Sequence, residues 1–129
     1  HQRVADTYSK GRIFLAGDAA HINNPLGGMG MNGGIHDGLN LAEKLVRVWR
    51  GEADDDEFDR YDRQRRPIAL EFVQKATLAN KAMLEEADPK IRRSKQEEFR
   101  RICNDPVAAR DFLLHSSMIK SLERASSLG

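Results

Sequence analysis

Residues 11–34, GRIFLAGDAAHINNPLGGMGMNGG, constrain the fold more than any other stretch, because an apolar run meets one acid and then a glycine cluster where a helical pattern begins. Ile13, Phe14, Leu15 and Ala16 form an uninterrupted apolar run, which predicts a strand buried on both faces, as in a parallel sheet. The strand stops at Gly17, so Asp18 sits at its carboxyl end, the edge of an open parallel sheet where ligands collect. A short carboxylate there can accept hydrogen bonds from hydroxyl groups. Gly27, Gly28, Gly30, Gly33 and Gly34 then remove side chains that would hold a flat or phosphorylated ligand away from the main chain. From about Gly30 the pattern turns helical. The free N–H groups of Met31 and Asn32 are therefore expected to point out of a helix N-terminus carrying partial positive charge, an end that stabilises an anion or a developing negative charge. The same residues also fit a glycine-rich surface loop in which Asp18 merely caps a turn.

In order as well as composition, the stretch resembles the second FAD-binding signature, the GD motif, of the flavoprotein monooxygenases typified by p-hydroxybenzoate hydroxylase. The usual form there is GRVFLAGDAAH followed by a PPxGGxGMNxGIxDAxNLAWKL-like continuation, and the similarity runs from about Arg3 to Leu45. The resemblance implies that Asp18 hydrogen-bonds the ribityl hydroxyl of FAD and that Gly17 allows the tight turn presenting it. It implies that Pro25 passes beside the isoalloxazine, with Gly28 in the same cofactor loop. Gly30, Met31 and Asn32 correspond to the helix start whose N–H groups face flavin N1 and O2, where they stabilise the charge of the reduced ring as an oxyanion hole would. Asn24, Gly38 and Glu43 depart from the family's usual proline, alanine and tryptophan, which touches loop stiffness and helix packing rather than flavin contact. The family's GxGxxG phosphate loop and middle sheet are not found in the chain, so it resembles the C-terminal piece of a longer flavoprotein whose missing N-terminal part is its first partner.

Length and composition agree with a piece. At 129 residues about one domain is expected, yet 40% hydrophobic and 32% charged residues with a mean hydropathy of −0.63 are polar for a self-contained core. A net charge of +1, from 21 Lys and Arg against 20 Asp and Glu, recruits neither nucleic acid nor an anionic membrane surface. The single Cys103 forms no intramolecular disulfide and is expected as a buried structural thiol in a reducing cytoplasm. Neither a signal peptide nor a membrane-spanning apolar run is found.

Beyond the glycines the pattern is helical. Ile35, Leu39, Ala42, Leu45, Val46 and Trp49 predict the apolar, core-facing stripe of a helix ended by Gly51. His36, Asp37 and Asn40 on that helix read as surface or capping residues, and a lone His21 says little about catalysis or metal. Glu52 to Glu57 reads as a solvated loop and helix start, and the spacing of a calcium loop is missing. Phe58, Tyr61 and Arg65 precede Pro67, expected to kink or interrupt the helix. Ile68, Phe72, Val73, Ala76, Ala79, Met83 and Leu84 restart the stripe. YDRQRRP resembles the family's YxxERRP. There Arg65 and Arg66 fit a surface or intrachain ion pair better than contact with cofactor phosphates. Asp88–Pro89 and Asp105–Pro106 predict N-capped helices. The first is expected to bury Ile91, Phe99 and Ile102, and the second Val107, Leu114, Met118 and Leu122, with Phe112 and Leu113 broadening the stripe. The basic first helix reads as a solvated face, and the tail Ala125–Gly129 is expected to fray.

The expected fold is mainly α with a short β element. Residues 1–50 supply the C-terminal strand, GD-motif loop and flavin helix of an α/β, Rossmann-like FAD-binding domain, and residues 51–129 a C-terminal helical region. The resemblance implies an FAD-dependent monooxygenase in the intact parent. NADH or NADPH reduces FAD, and an aromatic or similar organic substrate is hydroxylated with O2 through a flavin C4a-hydroperoxide; the isolated fragment is expected to be inactive. The cofactor set is Gly17, Asp18, Pro25, Gly28, Gly30, Met31 and Asn32, with no catalytic side chain and no metal ligand. A halogenase-like or epoxidase-like FAD oxidoreductase, or a non-enzymatic helical fragment that self-associates as a homo-oligomer, stays open.

Overall fold

The structure, a computed structural model, describes residues 2–26 and 28–129; Gly27 of the glycine cluster lies outside the described residues. Four short strands come first: β1 (Arg3–Val4), β2 (Ser9–Lys10), β3 (Ile13–Phe14) and, after a 3-10 turn at Gly17–Ala19, β4 (His21–Ile22). β1 and β4 pair antiparallel, with Arg3 opposite Ile22 and Val4 opposite His21. β2 and β3 form a hairpin, with Ser9 opposite Phe14 and Lys10 opposite Ile13. Helices follow: α1 (Met29–Trp49), α2 (Asp56–Ile68), a π-helical segment (Ala69–Gln74), α3 (Lys75–Glu85), α4 (Pro89–Asn104), α5 (Pro106–Ser116) and α6 (Ile119–Ser126). The chain is mainly α with a short β element, as expected.

The apolar run Ile13–Ala16 is not a strand buried on both faces. Ile13 is 70% exposed, and Phe14, Leu15 and Ala16 are only half-buried. A two-stranded antiparallel ribbon has one face to bury, and here that face meets α2. Phe14 packs on Phe58 with ring centroids 4.8 Å apart, and the Leu15 carbonyl accepts from the Tyr61 hydroxyl at 2.7 Å. Tyr8, Ala20, Tyr61 and Ala69 form the buried cluster, ringed by Val4, Ala5, Phe14, Leu15 and Leu41. The core therefore sits between the short strands and the first two helices.

α1 has the expected bounds, but its apolar stripe points outward. Ile35, Leu39, Val46 and Trp49 are exposed, Trp49 at 91%, while Gly33, Asp37 and Lys44 are buried. The polar stripe faces inward because its groups find partners there: Lys44 Nζ donates to Gln64 Oε1 at 2.7 Å and to Asn40 Oδ1 at 3.0 Å. Burial pulls the Lys44 ammonium below its ordinary pKa, the loss of hydration outweighing the attraction of Glu57.

The acidic run begins α2 as expected, with Asp56, Glu57 and Asp59 in its first turn and Glu57 bridging Arg47 at 2.8 Å and Arg60 at 3.2 Å. Pro67 does not stop the helix. It withdraws one amide from the ladder, and the wider π-helical turns immediately downstream carry the distortion into α3. Of the restarted stripe, Ile68 and Val73 are buried and Phe72 and Ala76 half-buried, whereas Ala79, Met83 and Leu84 are exposed.

Asp88 and Asp105 cap their helices as predicted. Asp88 Oδ1 accepts from the Lys90 amide at 2.8 Å, and Asp105 Oδ1 from the Val107 and Ala108 amides at 2.9 and 3.3 Å. Of the residues expected to be buried, Met118 is buried and Ile102 and Leu114 are half-buried, but Ile91, Phe99, Val107, Phe112, Leu113 and Leu122 are exposed, as is Cys103. α4 and α5 pack on each other, Phe99 edge-on to Phe112 at 5.4 Å, and sink no full face into the core. The stripe from Val107 to Leu122 is broken at Met118, whose φ of 64° separates α5 from α6. The Leu113 carbonyl accepts from both the Ser117 amide at 2.9 Å and Ser117 Oγ at 2.6 Å. The Met118 amide then turns to the His115 carbonyl at 3.1 Å in a tightened last turn, and burial of the Met118 side chain holds the unusual backbone in place. The tail does not fray as a whole, since Ala125 is buried and Gly129 lies against Arg60 and Gln64 of α2. Among the described residues no helix is long and apolar enough to cross a membrane.

Candidate functional site

Gly17 opens the 3-10 turn with φ +58°, a conformation only glycine adopts without strain. Its carbonyl accepts from the Ala20 amide at 2.9 Å, closing the turn. Asp18, next in the chain, is exposed. The turn lies directly on α1: a Cβ added to Gly34 would stand 3.1 Å from Gly17 Cα. Glycine at both positions lets two backbones touch where side chains would separate them.

Gly30, Met31 and Asn32 occupy the helical turn just before that contact. α1 is entered through Gly28, left-handed at φ 66°, and no side chain caps this end. Asn32 Nδ2 donates instead to the Gly28 carbonyl at 3.3 Å, and Met31 is 73% exposed. The amide end therefore keeps the partial positive charge that a capping oxygen would have offset. The intervening loop is tied to α3. Asn24 Nδ2 donates to the Thr77 carbonyl at 3.1 Å, Asn24 Oδ1 accepts from the Leu26 amide at 3.1 Å, and Asn80 Nδ2 donates to the Leu26 carbonyl at 3.4 Å. Pro25 is presented on the outside of this loop and borders a cleft of about 370 Å³ with Leu78 and Lys81.

The structure thus brings Gly17 and Asp18 to the start of α1, with Gly28, Gly30, Met31 and Asn32. Pro25 stands on the loop leading into it. Neither the Pro25 cleft nor the larger cavity of about 710 Å³, bordered by Met29, Phe72, Phe112 and His115, includes Asp18, Met31 or Asn32. No group of His, Cys, Asp and Glu among the described residues could hold a metal.

Behind the turn lies a set of residues that the sequence reading treated as peripheral. Asp37, read as a surface or capping residue, is 1% exposed. Its Oδ1 accepts from Arg65 Nε at 2.7 Å, and its Oδ2 lies 2.8 Å from His21 Nε2 and accepts from the Gly17 amide at 3.1 Å. Burial alone would raise the Asp37 pKa. The His21 hydrogen bond, the charge and hydrogen bond of Arg65 and the Gly17 amide outweigh it and hold the carboxyl below its ordinary value. Arg65 is buried in this intrachain ion pair, whereas Arg66 Nε donates to the Ala5 carbonyl at 2.9 Å. The available signal was the spacing of Gly33, Asp37, Asn40 and Lys44, a polar stripe at helical period opposite the apolar one.

The FAD binding domain family matches residues 1–76. Para-nitrophenol 4-monooxygenase of Pseudomonas sp. (strain WBC-3) is 40% identical over 114 residues, covering 88% of this chain and 28% of that protein. Tetracenomycin B2 monooxygenase-dioxygenase of Streptomyces olivaceus is 40% identical over 116 residues, covering 90% of this chain and 20% of that protein. The crystal structure of p-nitrophenol 4-monooxygenase from Pseudomonas putida DLL-E4 superposes with a TM-score of 0.83 at 38% identity, covering 95% of this chain and 31% of the other. The chain thus spans less than a third of the length of these relatives. Matched over residues 1–76, more than half its length, the chain belongs to the FAD binding domain family.

Proposed function

We propose that this chain is the C-terminal part of an FAD-dependent monooxygenase acting on an aromatic or similar organic substrate, and that Gly17, Asp18, Pro25, Gly28, Gly30, Met31 and Asn32 hold the flavin. One observation carries the reading: the backbone contact between Gly17 and Gly34 sets an exposed acid beside an uncapped helix start. That donor set fits a flavin. Asp18 accepts from the hydroxyls of the ribityl chain, and the amides of Gly30, Met31 and Asn32 face the electron-rich edge of the ring, where preorganised donors stabilise charge gathered on reduction. Pro25, rigid and outward-facing, lies along the ring. FAD supplies the redox chemistry, with NADH or NADPH as reductant and O2 reacting through a flavin C4a-hydroperoxide.

The division of labour follows from the surface. Ile35, Leu39, Val46 and Trp49 leave an apolar face on α1 that suits the packing of the remainder of the flavoprotein, with residues 1–50 belonging to its FAD-binding domain and residues 51–129 forming a helical region. The GxGxxG spacing of Gly28, Gly30 and Gly33 opens α1 within the flavin loop rather than a strand–loop–helix unit for the ADP half of FAD, and on this reading the fragment alone is inactive. Asp18→Ala in the full-length flavoprotein tests the site. Loss of a hydrogen bond to a charged group is expected to weaken FAD binding on the order of ten- to a hundredfold, read by flavin fluorescence titration. Unchanged affinity would remove Asp18 from the site.

A further inference from the structure

Two buried side chains, Arg65 and His21, converge on the Asp37 carboxylate, and a further partner of that carboxylate is the main chain of the cofactor turn. Asp37 projects from α1 and gathers donors from the other elements around it: Gly17 of the 3-10 turn at 3.1 Å, His21 of β4 at 2.8 Å and Arg65 of α2 at 2.7 Å. His21 is fixed in turn. Its Nε2 faces the Asp37 carboxylate, and its Nδ1 lies 2.9 Å from the Asn23 side-chain amide, so the ring is held at both nitrogens. Gly33 leaves just enough room for the ring, since a Cβ there would stand 3.1 Å from His21 Cε1. Arg65 also neutralises the carboxylate, without which burial of the charge would be costly.

Gly17 is bonded directly to Asp18, so the acceptor that holds the Gly17 amide also determines where the Asp18 carboxylate emerges. A turn held only by its own Ala20-to-Gly17 bond has freedom to rock; one whose leading amide is tied to a buried ion pair does not. We propose that Asp37 is a positioning residue of the cofactor site, holding the Gly17 amide so that Asp18 is presented to the flavin, with His21 and Arg65 fixing the Asp37 carboxylate itself. The proposal rests on the Asp18 reading above, and it assigns these three buried residues a part in cofactor binding rather than in stability alone.

A double-mutant cycle in the full-length flavoprotein separates the two. Asp37→Asn keeps the shape but offers one oxygen where the carboxylate has two, so either the Gly17 amide or Arg65 faces an NH2 group. FAD dissociation constants and thermal midpoints are measured for Asp18→Ala, Asp37→Asn and the double variant. If Asp37 acts through the turn, Asp37→Asn weakens FAD roughly tenfold. The double variant then binds no more weakly than Asp18→Ala alone, because once the acid is gone its placement no longer matters. An Asp37→Asn variant that binds FAD within twofold of the parent overturns the proposal. So does a double variant whose loss is the product of the two single losses, even if both lower the thermal midpoint. An Asp18→Ala variant of unchanged affinity sinks the underlying site reading and this proposal with it. Should Asp37→Asn not fold, Arg65→Lys, which keeps a cation but loses the fixed Nε geometry, passes through the same cycle under the same criteria.

Discussion

Alanine at Gly34 and alanine at Gly38 are the same chemical change in the same helix, yet they should move stability in opposite directions. In a helix interior alanine gains about 0.8–1.0 kcal/mol over glycine. At Gly38 that gain is unopposed, since an added Cβ meets nothing within 4 Å. At Gly34 the Cβ would stand 3.1 Å from Gly17 Cα, inside the ~3.5–4.0 Å of an ordinary carbon contact. The turn must therefore retreat by a few tenths of an ångström. It cannot do so freely, because the Gly17 amide is held by Asp37 at 3.1 Å and its carbonyl by Ala20 at 2.9 Å. Overpacking of this kind costs ~1–3 kcal/mol. Gly38→Ala is thus expected to be about 1 kcal/mol more stable than the parent and Gly34→Ala between about 0 and 2 kcal/mol less stable, a gap of about 1–3 kcal/mol in urea denaturation followed by circular dichroism. Equal stabilisation by both alanines would refute the close approach of turn and helix on which the site is built.

Arg65→Met strips the cation from a fully buried carboxylate and is expected to destabilise the fold by about 3–5 kcal/mol; a loss below about 1 kcal/mol in the same denaturation would show that Asp37 does not depend on it. Tyr8 and Tyr61, the two tyrosines of the chain, are both fully buried, and burial first, then the Asp37 charge, raise their phenol pKa values. A folded pKa above the ordinary value near 10 means that this contribution to stability is complete below pH ~10 and fades as pH climbs toward the folded value. Tyrosinate absorbance of the 129-residue chain should therefore rise together with the loss of helical ellipticity, above pH ~10. A rise near pH 10 with helicity intact would contradict the burial.

What was legible in the sequence was local. The bounds of α1 follow from a helical period and Gly51, the caps of α4 and α5 from Asp–Pro pairs acting within three residues, and the turn at Gly17 from an apolar run that stops at a glycine. What was not legible needed the far end of a contact. Ile13 to Ala16 look the same in a strand covered on both sides and in a ribbon covered on one, because the run does not say what lies above and below it. The outward stripe of α1 could not be assigned a direction from its own residues. Only the pairing of Asp37 with Arg65, of His21 with Asp37 and of Lys44 with Gln64 makes the polar side the inner one. The break at Met118 was hidden for a related reason: the stripe continues past Ser116 and Ser117, and the tightened last turn in which the Met118 amide bonds to the His115 carbonyl is invisible to a count of apolar spacing.

The knot at Asp37 bears on how the molecule breathes. Freeing the Gly17 amide to solvent means unseating a carboxylate that also keeps a guanidinium from the second helix and an imidazole from the last strand dry. Such a segment exchanges its amide protons through openings that reach well beyond itself. Among the described residues, the loop around Pro25 is moored to the third helix by the side-chain amides of Asn24 and Asn80, so its amides are expected to exchange through smaller, more local openings than the Gly17 amide.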